Sequence, residues 1–237
     1  MTSQTADVRY QLKPGPLSSH GRILSLAGAW PRSSRILEIG TASGYLGREL
    51  RRRGFEDLTG VERDPALARE AQPHYRCCYV GDVGQQGPWP WGEGGEFDAL
   101  ICADVLEHLR DPLEVLARLS QLVRPSGQVV ISLPNAVNWT VRLMVLSGRF
   151  EYADCGLLDR GHLRFFTRRT ACQLIEQGGR LRICRTYVTP PPFGRVLEHH
   201  LPSWGIEAIE RLYYGVARCW KNLFAYQFVF LAERVVG

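Results

Sequence analysis

Long uninterrupted apolar runs are missing from these 237 residues: no stretch approaches the ~18 apolar residues that a membrane-crossing helix needs. A basic flank followed by an apolar run is missing near the first residue, so no secretory leader is expected. Paired C-x-x-C motifs are missing too. The seven cysteines are Cys77, Cys78, Cys102, Cys155, Cys172, Cys184 and Cys219. An odd count without such pairs reads neither as a disulfide framework nor as a zinc site. Reduced thiols in a cytoplasmic protein are the expectation. Clustered positive charge is nearly absent. The net charge is only +5, and the one basic run, Arg51-Arg52-Arg53, falls late in a helical pattern, where cations favour the helix dipole. Nucleic acid is therefore not an expected partner. Internal repeats and low-complexity tracts are absent.

What is present is ordinary for a globular chain: 45% apolar and 22% charged residues. Residues 1–237 are read as one α/β domain. Residues 1–32 form an N-terminal arm and a helix from Leu17 to Trp30. Strands and helices then alternate. Short apolar runs at 35–39, 57–62, 76–80, 97–103 and 127–133 read as strands. Helices are expected from Ser43 to Arg53, after Asp64-Pro65 and after Asp111-Pro112, where aspartate at the N-cap precedes proline at the first helical position. Such alternation predicts a doubly wound, mostly parallel sheet whose strands are buried on both faces. The pattern breaks at 134–166, an insertion after the fifth strand expected to cover the substrate. A helix follows, capped by Thr167, and then a strand from Leu181 to Val188. Residues 190–222 form a C-terminal helical insertion, with an amphipathic helix over 204–222, and a last strand runs from Phe224 to Glu233.

Ligands of open parallel sheets bind beyond the carboxyl ends of the strands. After the first strand stands Glu38-Ile39-Gly40-Thr41-Ala42-Ser43-Gly44-Tyr45. A nucleotide P-loop of the form G-x-x-x-x-G-K-S/T needs a lysine that is lacking. A dinucleotide loop needs glycines where Ala42 and Tyr45 stand. What remains is E-x-G-x-x-x-G, in which an acid suits a ligand bearing an ammonium or sulfonium charge. Glu62 ends the second strand, where a carboxylate can accept two ribose hydroxyl hydrogen bonds. Asp82 follows the third strand, where it can accept an adenine amino group. The competing reading makes each acid a helix cap. After the fourth strand, Asp104, Glu107 and His108 fall at i, i+3 and i+4, on one side of a helical turn.

The segment Asp104 to Pro112 resembles the ubiquinone-pathway catechol O-methyltransferases and their relatives, which carry E-H-x-x-x-P after the same strand. The segments Leu133 to Leu143, Gly148 to Phe150 and Leu158 to Thr167 resemble the bacterial methyltransferase type 23 group, which includes MetW-like proteins. Residues 33–133 resemble class I S-adenosylmethionine (SAM)-dependent methyltransferases generally. The resemblance implies a seven-stranded sheet with an antiparallel last strand. It implies SAM contacts by Glu38, Gly40, Gly44, Glu62, Asp82 and the backbone at Ala103, with Arg63 and Val83 flanking the adenine. Ala42 departs from the glycine that many relatives carry.

Methyl transfer to oxygen or nitrogen also requires proton removal. His162, in the insertion, and His108 are the candidate bases, against a role in holding the backbone. No metal ligand is assigned, although Asp104, Glu107 and His108 could bind a divalent ion. Arg160 and Arg164 could bind an anionic acceptor or pair with Glu151, Asp154 or Asp159. Ile206, Ile209, Tyr213, Val216, Trp220 and Leu223 form one apolar stripe, for packing, for a homodimer or for peripheral membrane contact. The acceptor is expected to be a small or lipid-linked metabolite. The alternatives are a non-catalytic SAM-binding regulatory or escort partner and a nicotinamide oxidoreductase. Against the second stand Ala42, Tyr45 and the segment at 104–109. The amino-methylating DNA enzymes are disfavoured because Ala103 to Leu106 lacks their proline-aromatic motif.

Overall fold

A computed structural model describes residues 15–91 and 96–235, so the expected arm at 1–14 lies outside the described residues. Helix α1 (Ser19–Ala27) starts where the Ser18 side chain accepts from the Gly21 amide. Strand β1 (Ile36–Ile39), helix α2 (Tyr45–Arg52) and strand β2 (Leu58–Glu62) follow. Helix α3 (Pro65–Ala71) is capped as expected, with the Asp64 carboxylate accepting from the amides of Ala66 and Leu67. Strands β3 (Cys77–Val80) and β4 (Phe97–Ala103) lead to α4 (Pro112–Leu122), capped by Asp111. Strand β5 (Val123–Pro134) is longer than its apolar core. Helix α5 (Trp139–Leu146) lies inside the insertion and was not expected. Helix α6 (Arg168–Gln177) opens with a capping box between Thr167 and Thr170. Strand β6 (Leu181–Thr189) precedes α7 (Phe193–Leu197), α8 (Ser203–Cys219), α9 (Lys221–Phe224) and β7 (Gln227–Arg234).

The strand order is β3-β2-β1-β4-β5-β7-β6, with β7 antiparallel to both neighbours and the other pairs parallel. Alternation along each strand divides the core. Leu37, Ile39, Leu100, Cys102, Val129 and Ile131 face α4 and α6. Ile36, Ala99, Ile101 and Val130 face α1 and α2. Glu38 keeps the parity of Ile36, which directs it toward α2.

Three expectations need correction. The edge strand β3 is not continuously buried, because it has one neighbour only; Val80 is 56% exposed. The last strand begins at Gln227, since 221–224 close a helical turn. The stripe on α8 buries Ile206 and half-buries Ile209, Tyr213 and Val216, but Trp220 lies past the helix end and is exposed.

Candidate active site

The carboxyl ends of β1, β2, β3 and β4 form one edge of the sheet, because these four strands are parallel neighbours. The loop after β1 carries three residues in the left-handed region: Gly40 at φ 74°, Ala42 at φ 46° and Gly44 at φ 80°. Close approach explains the glycines. A Cβ on Gly40 would meet Val105 Cγ2 at 2.7 Å, and one on Gly44 would meet Ala71 Cα at 2.7 Å. Ala42 accepts this conformation despite its methyl group, a strained arrangement for an L residue.

Glu62 laces this loop to the next. Its Oε2 accepts from the Ala42 amide at 2.8 Å, and its Oε1 accepts from the Asp64 amide at 3.0 Å. Each oxygen of an ionised carboxylate can accept a further bond. Asp82 Oδ1 accepts from the Gly84 amide at 2.8 Å, which shapes the turn after β3. Val83 beside it is buried and Arg63 is exposed. Neither Glu62 nor Asp82 caps a helix; Asp64 does that work after β2.

Glu38 is placed differently from its neighbours at the strand ends. It is 2% exposed and accepts from the Tyr75 hydroxyl at 2.7 Å through Oε2. Burial pushes its carboxyl up to about 8; the Tyr75 bond opposes this and the Glu62 charge adds to it. Tyr75 was not singled out from the sequence. Its signal lies in Gly47 and Gly60, whose missing side chains make room for its ring.

The expected grouping of Asp104 with Glu107 and His108 does not form. Asp104 adopts φ 56°, and its carboxylate accepts from Ser132 Oγ at 2.5 Å and from Gln227 Nε2 at 2.9 Å. Residues 106–108 form a 3-10 turn rather than an α-helical one, which breaks the i, i+3, i+4 geometry. His162 takes the third place instead. Ligand atoms of Glu107, His108 and His162 all lie within 4.8 Å of one another, a carboxylate and two imidazoles that could hold a divalent ion.

Backbone contacts bring the insertion onto this turn. The amides of Leu163 and Arg164 both donate to the Glu107 carbonyl, at 2.8 and 3.0 Å. His108 Nδ1 donates to the Gly161 carbonyl at 2.9 Å, and His162 Nδ1 to the Leu157 carbonyl at 3.3 Å. A carbonyl only accepts, so both Nδ1 atoms carry hydrogen in the neutral rings and both Nε2 atoms are left as acceptors. His162 Nε2 is 4.0 Å from Glu107 Oε1, and the two imidazole centroids are 4.9 Å apart. Burial, and then the neighbouring His108, lower the His162 pKa and keep its ring neutral at pH 7. Arg160 pairs with Asp154 at 3.3 Å, and Arg164 donates to the Arg110 carbonyl.

Residues 14–179 match the family described as Methyltransferase domain. Ubiquinone biosynthesis O-methyltransferase of Chromobacterium violaceum is 31% identical over 161 residues, which are 64% of this chain and 63% of the relative. The enzyme of the same name from Aeromonas salmonicida is 28% identical over 155 residues, 62% of this chain and 63% of the relative. The alignments thus span less than two thirds of these relatives. Magnesium protoporphyrin IX methyltransferase from Synechocystis, solved with bound S-adenosylhomocysteine, superposes with TM-score 0.59 at 16% identity, covering 91% of this chain and 84% of that one. A SAM-dependent methyltransferase from Mesorhizobium loti superposes with TM-score 0.58 at 12% identity, covering 92% and 98%. These two structures share the fold.

Proposed function

The chain belongs to the methyltransferase-domain family, and from that premise we propose that it transfers the methyl group of SAM to an oxygen or nitrogen acceptor on a small or lipid-linked metabolite. Oxygen is favoured, since the curated relatives above are named O-methyltransferases. The observation that carries the reading is the pairing, on one sheet edge, of a carboxylate-laced glycine loop with an imidazole–carboxylate cluster. Glu62 supplies the first half and Glu107, His108 and His162 the second. An escort protein would need the first half only.

The donor set fits the cofactor. SAM offers hydroxyl, amino and ammonium hydrogens; Glu62 and Asp82 offer carboxylate acceptors, and Glu38, whose carboxyl burial holds protonated in the ligand-free protein, becomes one when a bound cation favours its ionised form. The carboxylates of Glu62 and Asp82 would repel a pyrophosphate. Glu62 would hold the ribose hydroxyls, Asp82 the adenine amino group, Val83 and Arg63 the adenine faces, and Gly40, Gly44 and the Ala103 backbone the methionine end. When bound, SAM supplies a methyl group already activated by its sulfonium. The chain's own work is to align the acceptor, keep water out and take up a proton. His162 Nε2 is the atom proposed to receive it, because the ring is neutral and its Nδ1 hydrogen is anchored. Positioned general bases contribute roughly 10²–10⁴ in rate. His108, anchored on Gly161, orients the pair.

The surface beside this cluster supports a lipid-linked acceptor. Helix α5 turns Trp139, Leu143 and Leu146 outward at i, i+4 and i+7, and Leu146 is 81% exposed. Phe150 packs edge to face on Tyr152 and on Phe165, all three exposed, and Phe165 lies 6.3 Å from the His162 ring. Between Trp139 and Phe150 stand Arg142 and Arg149 and no acid. Glu151, between Phe150 and Tyr152, pairs with Arg149 at 2.9 Å, so the exposed aromatics and leucines together with Arg142 carry the case for an anionic lipid surface. We place the proposed membrane contact on α5; on α8 the expected stripe buries Ile206 and half-buries Ile209, Tyr213 and Val216.

Thermal unfolding with S-adenosylhomocysteine tests the cofactor half. Ligand at about 100 times its dissociation constant adds roughly 2.7 kcal/mol, about 5–10 °C for a domain of this size. The shift should appear in the wild type and collapse in Glu62→Ala. No shift at saturating ligand refutes the reading.

A further inference from the structure

Glu38 is costly where it stands. It occupies a face otherwise made of Ile36, Ala99, Ile101 and Val130, with Glu62 close enough to oppose its charge. Among the described residues, no basic side chain forms an ion pair with it. A buried acid without a cation favours its neutral form and gives up the stability that an apolar residue would add. The groups facing it are Tyr75, Glu62, Cys78 and Cys102, all neutral or negative.

Tyr75 is fitted to this acid by three positions. Its ring, 4% exposed, lies against Gly47 of α2 and Gly60 of β2. A Cβ on Gly47 would sit 2.3 Å from Tyr75 Cζ, and one on Gly60 would sit 3.0 Å from Tyr75 Cδ1. Packing alone would be met by phenylalanine. The hydroxyl adds directed contacts: it is held by the Gly47 backbone and donates to Glu38 Oε2 at 2.7 Å.

We propose that Tyr75 is a positioning residue: through that bond it fixes the Glu38 carboxyl so that Oε1 can receive the ammonium end of the cofactor at the glycine loop. The proposal rests on the SAM reading above. The missing cation is then part of the ligand, and the phenol holds the acid in register while the site is empty. The same bond favours the ionised carboxyl, opposing the effect of burial. Binding should accordingly strengthen as pH rises and Glu38 ionises, and loss of the phenol should move that rise to higher pH.

The experiment compares two ligands by titration calorimetry from pH 6 to 9 (pH values about those limits suffice). S-adenosylhomocysteine carries the ammonium, and 5′-methylthioadenosine lacks it. The proteins are full-length wild type, Tyr75→Phe and Glu38→Gln. Tyr75→Phe should weaken S-adenosylhomocysteine about ten- to a hundredfold, as one hydrogen bond to a charged group is worth. It should leave methylthioadenosine unchanged and displace the pH profile upward. Glu38→Gln should show the same ligand-selective loss with a flat profile, and it decides the matter if the tyrosine variant does not fold. Equal losses for both ligands, or no loss for either, overturn the positioning role alone. Wild type that binds neither ligand overturns the SAM reading and this proposal with it.

Discussion

Burial of Glu38 makes the ligand-free protein sensitive to pH in a direction opposite to that of most carboxylates. Its folded pKa is about 8, raised from 4.5 chiefly by burial. The native state therefore holds this proton more tightly than the unfolded chain does. The stabilisation is complete below about pH 4.5 and is lost as pH rises through about 8. A shift of this size corresponds to on the order of 5 kcal/mol across the window. That is a large part of the roughly 5–15 kcal/mol by which domains are stable. With a urea slope of about 2 kcal/mol/M, the unfolding midpoint should fall by about 2 M between pH 5 and 9.

Urea unfolding of wild type and Glu38→Gln at several pH values isolates this contribution. The amide keeps a hydrogen-bond acceptor for Tyr75 and does not titrate. His162, whose pKa is lowered, loses stability as pH falls through about 6.5; it does so in both proteins and cancels in the difference. The variant should gain on the wild type steadily as pH rises. Saturating S-adenosylhomocysteine should shrink the gap, because a bound cation favours the carboxylate. Parallel pH profiles for the two ligand-free proteins would refute the reasoning and place Glu38 in contact with solvent.

Two further outcomes follow from the acceptor side. His162→Asn should lower methyl transfer to the proposed acceptor by about 10²–10⁴ while leaving the dissociation constant of S-adenosylhomocysteine unchanged; an unchanged rate assigns His162 to holding the insertion. The double variant Leu143→Glu, Leu146→Glu should abolish co-sedimentation with phosphatidylglycerol vesicles without altering the melting temperature, since Leu143 and Leu146 are exposed. A wild type that ignores such vesicles removes the lipid surface from the proposal.

Local signals were legible because their physics is local. Asp64 and Asp111 cap helices within three residues of themselves, and Thr167 pairs with Thr170, so their spacing alone discloses the helix starts. The apolar runs of β1 and β4 announce central strands because both faces are covered. Three of the acids were legible for the same reason, since Glu38 lies within, Glu62 ends and Asp82 follows a recognisable strand. Their different surroundings were not. Glu38 meets a tyrosine 37 residues away, in space opened by two glycines that each read as an ordinary helix or strand residue. Asp104 shows the complementary failure. Its sequence spacing to Glu107 and His108 implies one helical face, but a single left-handed φ of 56° redirects the chain and sends its carboxylate to Ser132 and Gln227. Helix α5 escaped notice because its apolar stripe points outward, and the turn of β5 into the insertion gives no periodic cue. The union of His108 with His162 depends on two amides, those of Leu163 and Arg164, that find the Glu107 carbonyl. Backbone donors are common to nearly every residue type, so their choice of partner leaves no trace in composition or spacing. The proposed cofactor half of the site is thus written in side chains at strand ends, while the proposed acceptor half is assembled by main-chain bonds between segments far apart in sequence. That asymmetry also predicts where substitutions act: changes at Glu62 should touch one ligand, whereas changes that unseat residues 161–164 should disable the base, the cluster and the exposed aromatic face together.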